Sequence, residues 1–187
     1  MPRNVEIKAV VRDKNALLAR ARRLWGPSKR LEQKDLFFPC TTGRLKLRLQ
    51  KPGPSYLIAY SRPDARGPKT SCYTTAVAPE PDALAACLSA ALGSGKTVVK
   101  TRFLFLSGRT RVHVDMVKGL GDFLELEVVL RSGESPARGR AEAERLMGIL
   151  GVRPEDLLEG AYADLSSTRT TRVPAMRSCQ PRPSFSQ

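Results

Sequence analysis

Charged residues recur at every second position in several segments of this 187-residue chain. The clearest case is Arg44, Lys46 and Arg48, which alternate with leucines. Side chains two positions apart share one face of a β-strand, so such a segment predicts a strand with one charged and one apolar face. Arginine and lysine suit phosphate oxygens, and clustered carboxylates suit a divalent metal ion. The spacing therefore predicts chemistry on a phosphorylated molecule.

The same alternation extends over most of the chain. The residues that it places on polar faces are Asn4, Glu6, Lys8, Arg44, Lys46, Arg48, Gln50, Arg62, Lys100, Arg102, Arg109, Arg111, His113, Asp115, Glu125 and Glu127. A sheet with one face in water is the commonest meaning of alternation. Here the polar positions are mostly ionised, and the acids are segregated from a larger basic group. This favours a barrel with a charged interior and with helices over its apolar outside.

Charges inside a barrel cannot stay unpaired. The excess of positive charge needs a bound polyanion, and the clustered carboxylates need a cation such as Mg²⁺ or Mn²⁺. Such an ion can hold a water for attack on phosphorus and spread the charge of the transition state. The predicted cofactor is therefore Mg²⁺ or Mn²⁺.

A single domain over 1–165 must position these residues. Helices are predicted at 14–25, at 81–92, at about 136–150 and, as a short one, near 154–158. Short turns join the last three strands as antiparallel hairpins. Strands are predicted at 4–11, 44–50, 56–62, 70–78, 97–106, 109–117 and 123–131, with a short extended piece at Phe37 and Phe38. Residues 166–187, rich in Ser, Thr, Arg and Pro, are predicted to be a basic, disordered tail.

The composition limits the partners. The net charge is +14, and the four arginines of 166–187 leave +10 on the domain, which favours polyanions. Nucleic acid is disfavoured because aromatic residues are 6% of the chain and no basic stretch interleaves with them. Four dispersed cysteines and one histidine offer no zinc quartet. Without an apolar signal core or a run of 18 apolar residues, we expect a cytoplasmic protein with no membrane partner. The sequence leaves open whether the protein forms a homodimer.

Six segments resemble the CYTH superfamily, also called the triphosphate tunnel metalloenzymes. The family includes class IV adenylyl cyclases, thiamine triphosphatases and inorganic tripolyphosphatases. Within it, this sequence is most similar to the branch labelled class IV cyclase-like. The resemblance implies an eight-stranded antiparallel β-tunnel, mainly β with helices outside. The matching segments are Val5–Lys8, Lys46–Arg48, Tyr60–Asp64, Lys100–Arg102, Arg111–Asp115 and Gly119–Glu127.

The resemblance also implies roles for individual residues. The metal ligands would be Glu6, Glu125 and Glu127, with Asp115 either a ligand or an acid behind a second metal. Together with Lys8, the three glutamates would carry the catalytic roles. The triphosphate would be held by Lys8, Lys46, Arg48, Arg62, Lys100, Arg102 and Arg111. The family motif E-x-E-x-K begins here with Asn4, so one formal negative charge of the metal site is lost.

Three functions follow. The favoured one is a metal-dependent hydrolase of inorganic tripolyphosphate, thiamine triphosphate or a nucleoside triphosphate. The alternatives are an adenylyl cyclase of the class IV type and, because of Asn4, a non-catalytic binder of triphosphates.

Other residues have competing interpretations. Gly95-Lys96-Thr97 imitates the end of a P-loop, but a helix precedes it and a strand follows, which disfavours that reading. His113 suits a structural hydrogen-bonding role or, less readily, a general base. Arg109 suits the surface as well as the tunnel, and Tyr162 suits either the tunnel mouth or the core.

Overall fold

The computed structural model describes residues 1–165, and its eight strands close into an antiparallel barrel. The predicted fold class is confirmed, whereas the predicted tail at 166–187 lies outside the described residues. The strands are β1 (Arg3–Val10), β2 (Lys29–Phe38), β3 (Arg44–Lys51), β4 (Ser55–Ser61), β5 (Lys69–Ala78), β6 (Thr97–Ser107), β7 (Thr110–Val117) and β8 (Gly121–Val129). The helices are α1 (Lys14–Trp25), α2 (Pro81–Leu92), α3 (Pro136–Leu150) and α4 (Tyr162–Leu165), with a 3-10 turn at Pro154–Asp156.

The barrel closes in the order β1-β5-β4-β3-β2-β6-β7-β8. The final pairing, β8 with β1, sets Glu127 opposite Glu6 and Glu125 opposite Lys8. Alternate residues of every strand must point inward, so this register carries the polar rows into the interior. Closure also leaves no free strand edge.

The hydrophobic core lies between the barrel and the helices. The outward residues of β1, β7 and β8, such as Val5, Val112 and Leu126, are fully buried beneath α1 and α3. Burying a side chain of this size contributes roughly 1.5–3 kcal/mol. On the opposite side α2 covers Leu47 and Phe38. The described helices are too short or too polar to cross a membrane.

Strand β2 is longer than the sequence predicted. It runs over ten residues, where only a short extended piece at Phe37 and Phe38 was expected. Its inward row contains Gln33 and Asp35, and its outward row contains charged, exposed residues such as Lys34. Both faces are polar over most of the strand, so the apolar alternation that reveals the other strands is missing.

Residues 157–165 cover one end of the barrel. The backbone N–H of Leu158 donates to the carbonyl of Lys8 at 2.8 Å, where β1 approaches its end. The Asp164 carboxylate accepts a hydrogen bond from Arg44 at 2.6 Å, and this holds α4 against β3. The short helix thereby brings Tyr162 to the barrel interior, where its side chain is buried.

Gly139 provides a test of the packing between α3 and the barrel. A Cβ atom at this position would lie 2.7 Å from Val5 Cγ2 and 2.8 Å from Leu130 Cδ2. We expect Gly139→Ala to lower the free energy of unfolding by about 1–3 kcal/mol, because overpacking displaces α3. The matched control is Gly148→Ala on the same helix, where a Cβ meets nothing within 4 Å. That change should stabilise by about 0.5–1 kcal/mol. Equal urea midpoints for the two variants would contradict the packing.

Candidate functional site

The barrel encloses a cavity of about 670 Å³. Its charged lining residues are Glu6, Lys8, Lys29, Asp35, Lys46, Arg48, Arg62, Lys100, Arg102, Arg111, Glu125 and Glu127. The structure therefore brings together all the site residues expected from the sequence except Asp115. Asp35 and Lys29 were not expected there.

One wall of the cavity carries the glutamates of β1 and β8. Lys8 Nζ lies 2.9 Å from Glu125 Oε1, and Arg111 Nε donates to Glu127 Oε2 at 2.7 Å. Arg62, at the end of β4, is hydrogen-bonded to Glu6. Each glutamate of the predicted metal site is thus adjacent to a basic residue of the predicted triphosphate site.

His113, Glu125 and Glu127 could hold a metal ion. One ligand atom from each of the three lies within 4.8 Å of the others. His113 Nδ1 is buried without a hydrogen bond in the described part of the chain and lies 3.8 Å from an oxygen of each glutamate. Carboxylate oxygens suit Mg²⁺ and Mn²⁺, and an imidazole nitrogen suits transition metals. The residues present therefore fit a divalent cation, and His113 adds a candidate ligand that the sequence did not assign.

Asn4 points into the same cavity, one inward position before Glu6. Its side chain is buried, and within residues 1–165 its Oδ1 accepts no hydrogen bond. An unsatisfied buried oxygen costs free energy unless a donor or a cation reaches it. The amide oxygen is therefore available as a neutral ligand where the motif has an acid.

The pKa values of the acids show how strongly the basic residues act on them. Burial alone would raise the pKa of Glu127, but His113, Arg111 and Arg102 outweigh it and lower that pKa to about 2. Burial also opposes ionisation of Glu125, yet Lys8 and Arg102 hold its pKa well below the usual value. Glu6 differs, because its burial outweighs Arg62 and raises its pKa. Glu125 and Glu127 are therefore ionised at neutral pH, which is the form in which a carboxylate can bind a cation.

The opposite wall is organised around Asp35 on β2. Arg48 binds its carboxylate with two hydrogen bonds, Nε to Oδ1 at 2.7 Å and Nη2 to Oδ2 at 2.8 Å. Lys46 Nζ lies 3.2 Å and Lys100 Nζ 3.5 Å from the same Oδ2. Burial opposes the charge on Asp35, but the three cations hold its pKa well below the ordinary value. Three predicted phosphate-binding residues thus converge on one acid.

Asp115 lies behind the cavity lining. Its carboxylate is fully buried, accepts two hydrogen bonds from Arg102 at 2.5 and 2.6 Å and a third from the Tyr162 hydroxyl at 3.0 Å. A metal ion could reach it only by displacing Arg102. Of the two roles that the resemblance implied, this geometry favours the acid that supports neighbouring groups over the direct ligand.

Tyr162 forms part of the cavity floor. Lys8 Nζ lies 3.6 Å and Lys100 Nζ 5.1 Å from the centroid of its ring, within reach of cation–π attraction. Burial and the nearby Asp115 raise the pKa of its hydroxyl well above the usual value, so the group stays protonated and donates. Tyr162 therefore has both of the roles considered for it, because it lines the cavity and its ring also packs against Phe123 in an apolar cluster.

Two other expectations are resolved outside the cavity. Arg109 precedes β7 and forms two hydrogen bonds with Glu134, so its surface interpretation is confirmed. Gly95-Lys96-Thr97 leads into strand β6 rather than a helix, so it cannot form a P-loop.

Part of the cavity lining is apolar or aromatic. Tyr56 and Tyr73 line it from β4 and β5, and Leu31 and Leu104 line it from β2 and β6. A triphosphate chain alone would gain nothing from contact with such groups, whereas the organic part of a larger molecule would pack against them.

A family model for the CYTH domain matches residues 2–162. The chain belongs to the CYTH domain family. Three similar solved structures agree with the fold. A conserved hypothetical protein from Pyrococcus furiosus is 20% identical, with a TM-score of 0.76 over 87% of this chain and 99% of that one. A Pyrococcus horikoshii protein is 21% identical, with a TM-score of 0.75 over 87% and 98%.

The third structure is HpAC1 from Hippeastrum, an adenylyl cyclase candidate described as having a dominant triphosphatase activity. It is 14% identical, with a TM-score of 0.57 over 90% of this chain and 95% of that one. No curated protein matches the chain. At these identities the likeness to solved structures establishes the fold alone.

Lys46 predicts a pH dependence of anion binding. Burial lowers its pKa to about 7, although Asp35 opposes the shift. Lys46 is therefore mostly neutral at pH 8 when the cavity is empty. A bound anion favours the charged form of the lysine, so binding should be accompanied by the uptake of a proton. The proton uptake is measured by calorimetric titration of the protein with tripolyphosphate at pH 8, in two buffers and in the presence of EDTA. On binding, wild type should take up as much as about one proton more than Lys46→Arg. Equal uptake by the two proteins would contradict the shifted pKa.

Proposed function

We propose that this CYTH protein is a metal-dependent hydrolase of a triphosphate, bound along the cavity between the Asp35 wall and the glutamate wall. One observation carries the proposal: a single cavity holds ionised carboxylates that can bind a divalent cation and, facing them, a convergent set of basic side chains. The membership of the family and the triphosphatase activity described for HpAC1 support it.

The charge balance of the cavity fits this substrate class. Eight basic residues (Lys8, Lys29, Lys46, Arg48, Arg62, Lys100, Arg102 and Arg111) face five acids (Glu6, Asp35, Asp115, Glu125 and Glu127), an excess of three formal positive charges. A divalent cation raises the excess to five. An organic triphosphate carries roughly four negative charges, about two of them on its terminal group. The loaded site would therefore be close to neutral.

The residues divide the work between them. Arg48, Lys46 and Lys100 would bind the phosphate oxygens from one side, and Lys8 and Arg102 from the floor. Fixed cations of this kind stabilise the charge that spreads over the transferred phosphoryl group. A divalent cation held by Glu125 and Glu127, with Glu6, Asn4 and His113 beside them, would supply further charge neutralisation and a polarised water.

The apolar part of the cavity favours an organic triphosphate over inorganic tripolyphosphate. Tyr56, Tyr73, Leu31 and Leu104 would pack against a heterocycle or a sugar. The same feature keeps a class IV adenylyl cyclase as the second candidate, because cyclisation of ATP needs a seat for the base and the ribose. In that reaction the 3′ hydroxyl replaces water as the nucleophile.

The experiment that tests the proposal is product analysis. ATP, thiamine triphosphate and tripolyphosphate are each incubated with Mg²⁺, Mn²⁺ or EDTA, and phosphate and cyclic AMP are measured. We expect metal-dependent phosphate release, faster with an organic triphosphate. Cyclic AMP as the main product would instead establish the cyclase. A folded protein that binds all three and converts none would establish a binder.

Glu127 allows a sharper test of the metal site. Glu127→Gln removes a ligand charge but keeps the shape of the side chain, and its partner Arg111 is partly exposed and can be hydrated. We expect the fold to persist and metal-dependent turnover to fall by at least about 100-fold, because losing even supporting groups of a metal costs 10- to 100-fold.

The matched control is Glu134→Gln, which breaks an equivalent glutamate–arginine contact on the outside of the barrel. It should retain the wild-type turnover. If Glu127→Gln turned over the best substrate as fast as this control does, Glu127 would not be a metal ligand.

A further inference from the structure

Asp35 is a buried acid to which the proposed reaction gives no task. It lies on the inward face of β2, and its side chain is 2% exposed. The side chains of Glu6, Glu125 and Glu127 are 16–21% exposed and form the rim on which a cation would bind. Asp35 is on the other wall, among cations alone.

The contacts of Asp35 leave no room for a metal ion. Both carboxylate oxygens are occupied by Arg48, and Oδ2 also faces Lys46 and Lys100. A metal ion could bind this buried carboxylate only by displacing cations that already neutralise it, and the displaced cations would be left buried without a partner. Its lowered pKa also leaves it without a proton to donate at neutral pH.

Without Asp35 the three cations would repel one another in a buried site. Arg48 and Lys100 lie on strands that flank β2, and Lys46 lies beside Arg48 on the same strand face. Like charges held this close in a low-dielectric interior destabilise the fold unless an anion lies between them. Asp35 is the anion in that place.

We propose that Asp35 is a positioning residue: its carboxylate holds Arg48, Lys46 and Lys100 together in the empty cavity, and its negative charge limits how tightly these cations bind a triphosphate. This inference rests on the proposed function only in the identity of the anion. It assigns to Asp35 a balance between two states. In the empty protein the acid stabilises the fold, and in the loaded protein it competes with phosphate for the same donors.

The test substitution is Asp35→Asn, which keeps the size of the side chain and one acceptor oxygen but removes the charge. With Lys46 protonated, as it mostly is at pH 6, the formal charge of the four groups then rises from +2 to +3. Binding of inorganic tripolyphosphate is measured at pH 6 by calorimetry in EDTA, and the melting temperature is measured with and without tripolyphosphate. We expect a lower melting temperature for the empty variant, and tripolyphosphate binding roughly three- to tenfold tighter than in wild type.

The kinetic signature follows from the same balance. If the best substrate binds more tightly and its products leave more slowly, KM and kcat should both fall in Asp35→Asn, while kcat/KM changes little. If Asp35 only supported the fold, its substitution would instead lower the stability and weaken anion binding together. Glu134→Gln is the control, because it removes one negative charge outside the cavity and should leave tripolyphosphate affinity unchanged.

Weaker or unaltered tripolyphosphate binding by Asp35→Asn, with wild type binding normally, would overturn the proposal. If Asp35→Asn does not fold, the double variant Asp35→Asn with Lys46→Gln restores the formal charge of +2 and should fold. Failure of that double variant to fold would also overturn it. Failure of the wild type to bind tripolyphosphate would instead contradict the proposed function, so the two failures are distinguishable.

Discussion

The structure depends on one constraint: ionised side chains inside a closed barrel must be neutralised there. Each acid around the cavity is within ion-pair distance of at least one base, from Glu125 beside Lys8 to Asp35 among its three cations. Pairing of this kind seldom stabilises a fold more than apolar packing would. Its presence in the interior therefore points to a ligand rather than to stability, and the excess of positive charge gives the sign of that ligand.

The same constraint dictates the outside of the barrel. Since the inward rows are polar, the outward rows must supply the apolar surface, and they are stable only when covered. Helices α1 and α3 bury the outer face of β1, β7 and β8, and α2 lies over Leu47 and Phe38. The main core therefore surrounds the cavity, and strands rather than loops hold most of the charged side chains that line it.

How much the sequence could predict follows from this inverted arrangement. Where one row of a strand is charged and the other apolar, as in β3 and β8, alternation revealed the strand, the face and the site residues together. Strand β2 was not predicted at its full length because its outer row is exposed and charged. Asp35 was missed with it, because its role depends on cross-strand partners 11 to 65 positions away. The Tyr162–Asp115 contact spans 47 positions and was equally hidden.

The shared architecture explains why the fold leaves the reaction open. A triphosphate cradle serves hydrolysis and cyclisation alike, and the choice depends on what lies beside the phosphorus as nucleophile. Asn4 adds a feature particular to this chain: a neutral oxygen in the place of an acid, beside Glu6 and near carboxylates that are ionised at neutral pH. A metal ion bound here would then rely more heavily on Glu125 and Glu127 than the family motif implies.

The account is tested most directly by a crystal structure with Mn²⁺ and a methylene-bridged, non-hydrolysable analogue of ATP. It predicts an anomalous manganese peak in contact with Glu125 and Glu127, and the phosphate chain running from that ion towards Arg48, Lys46 and Lys100. A manganese peak away from both glutamates, or an analogue bound on the outer surface with the cavity unaltered, would contradict it.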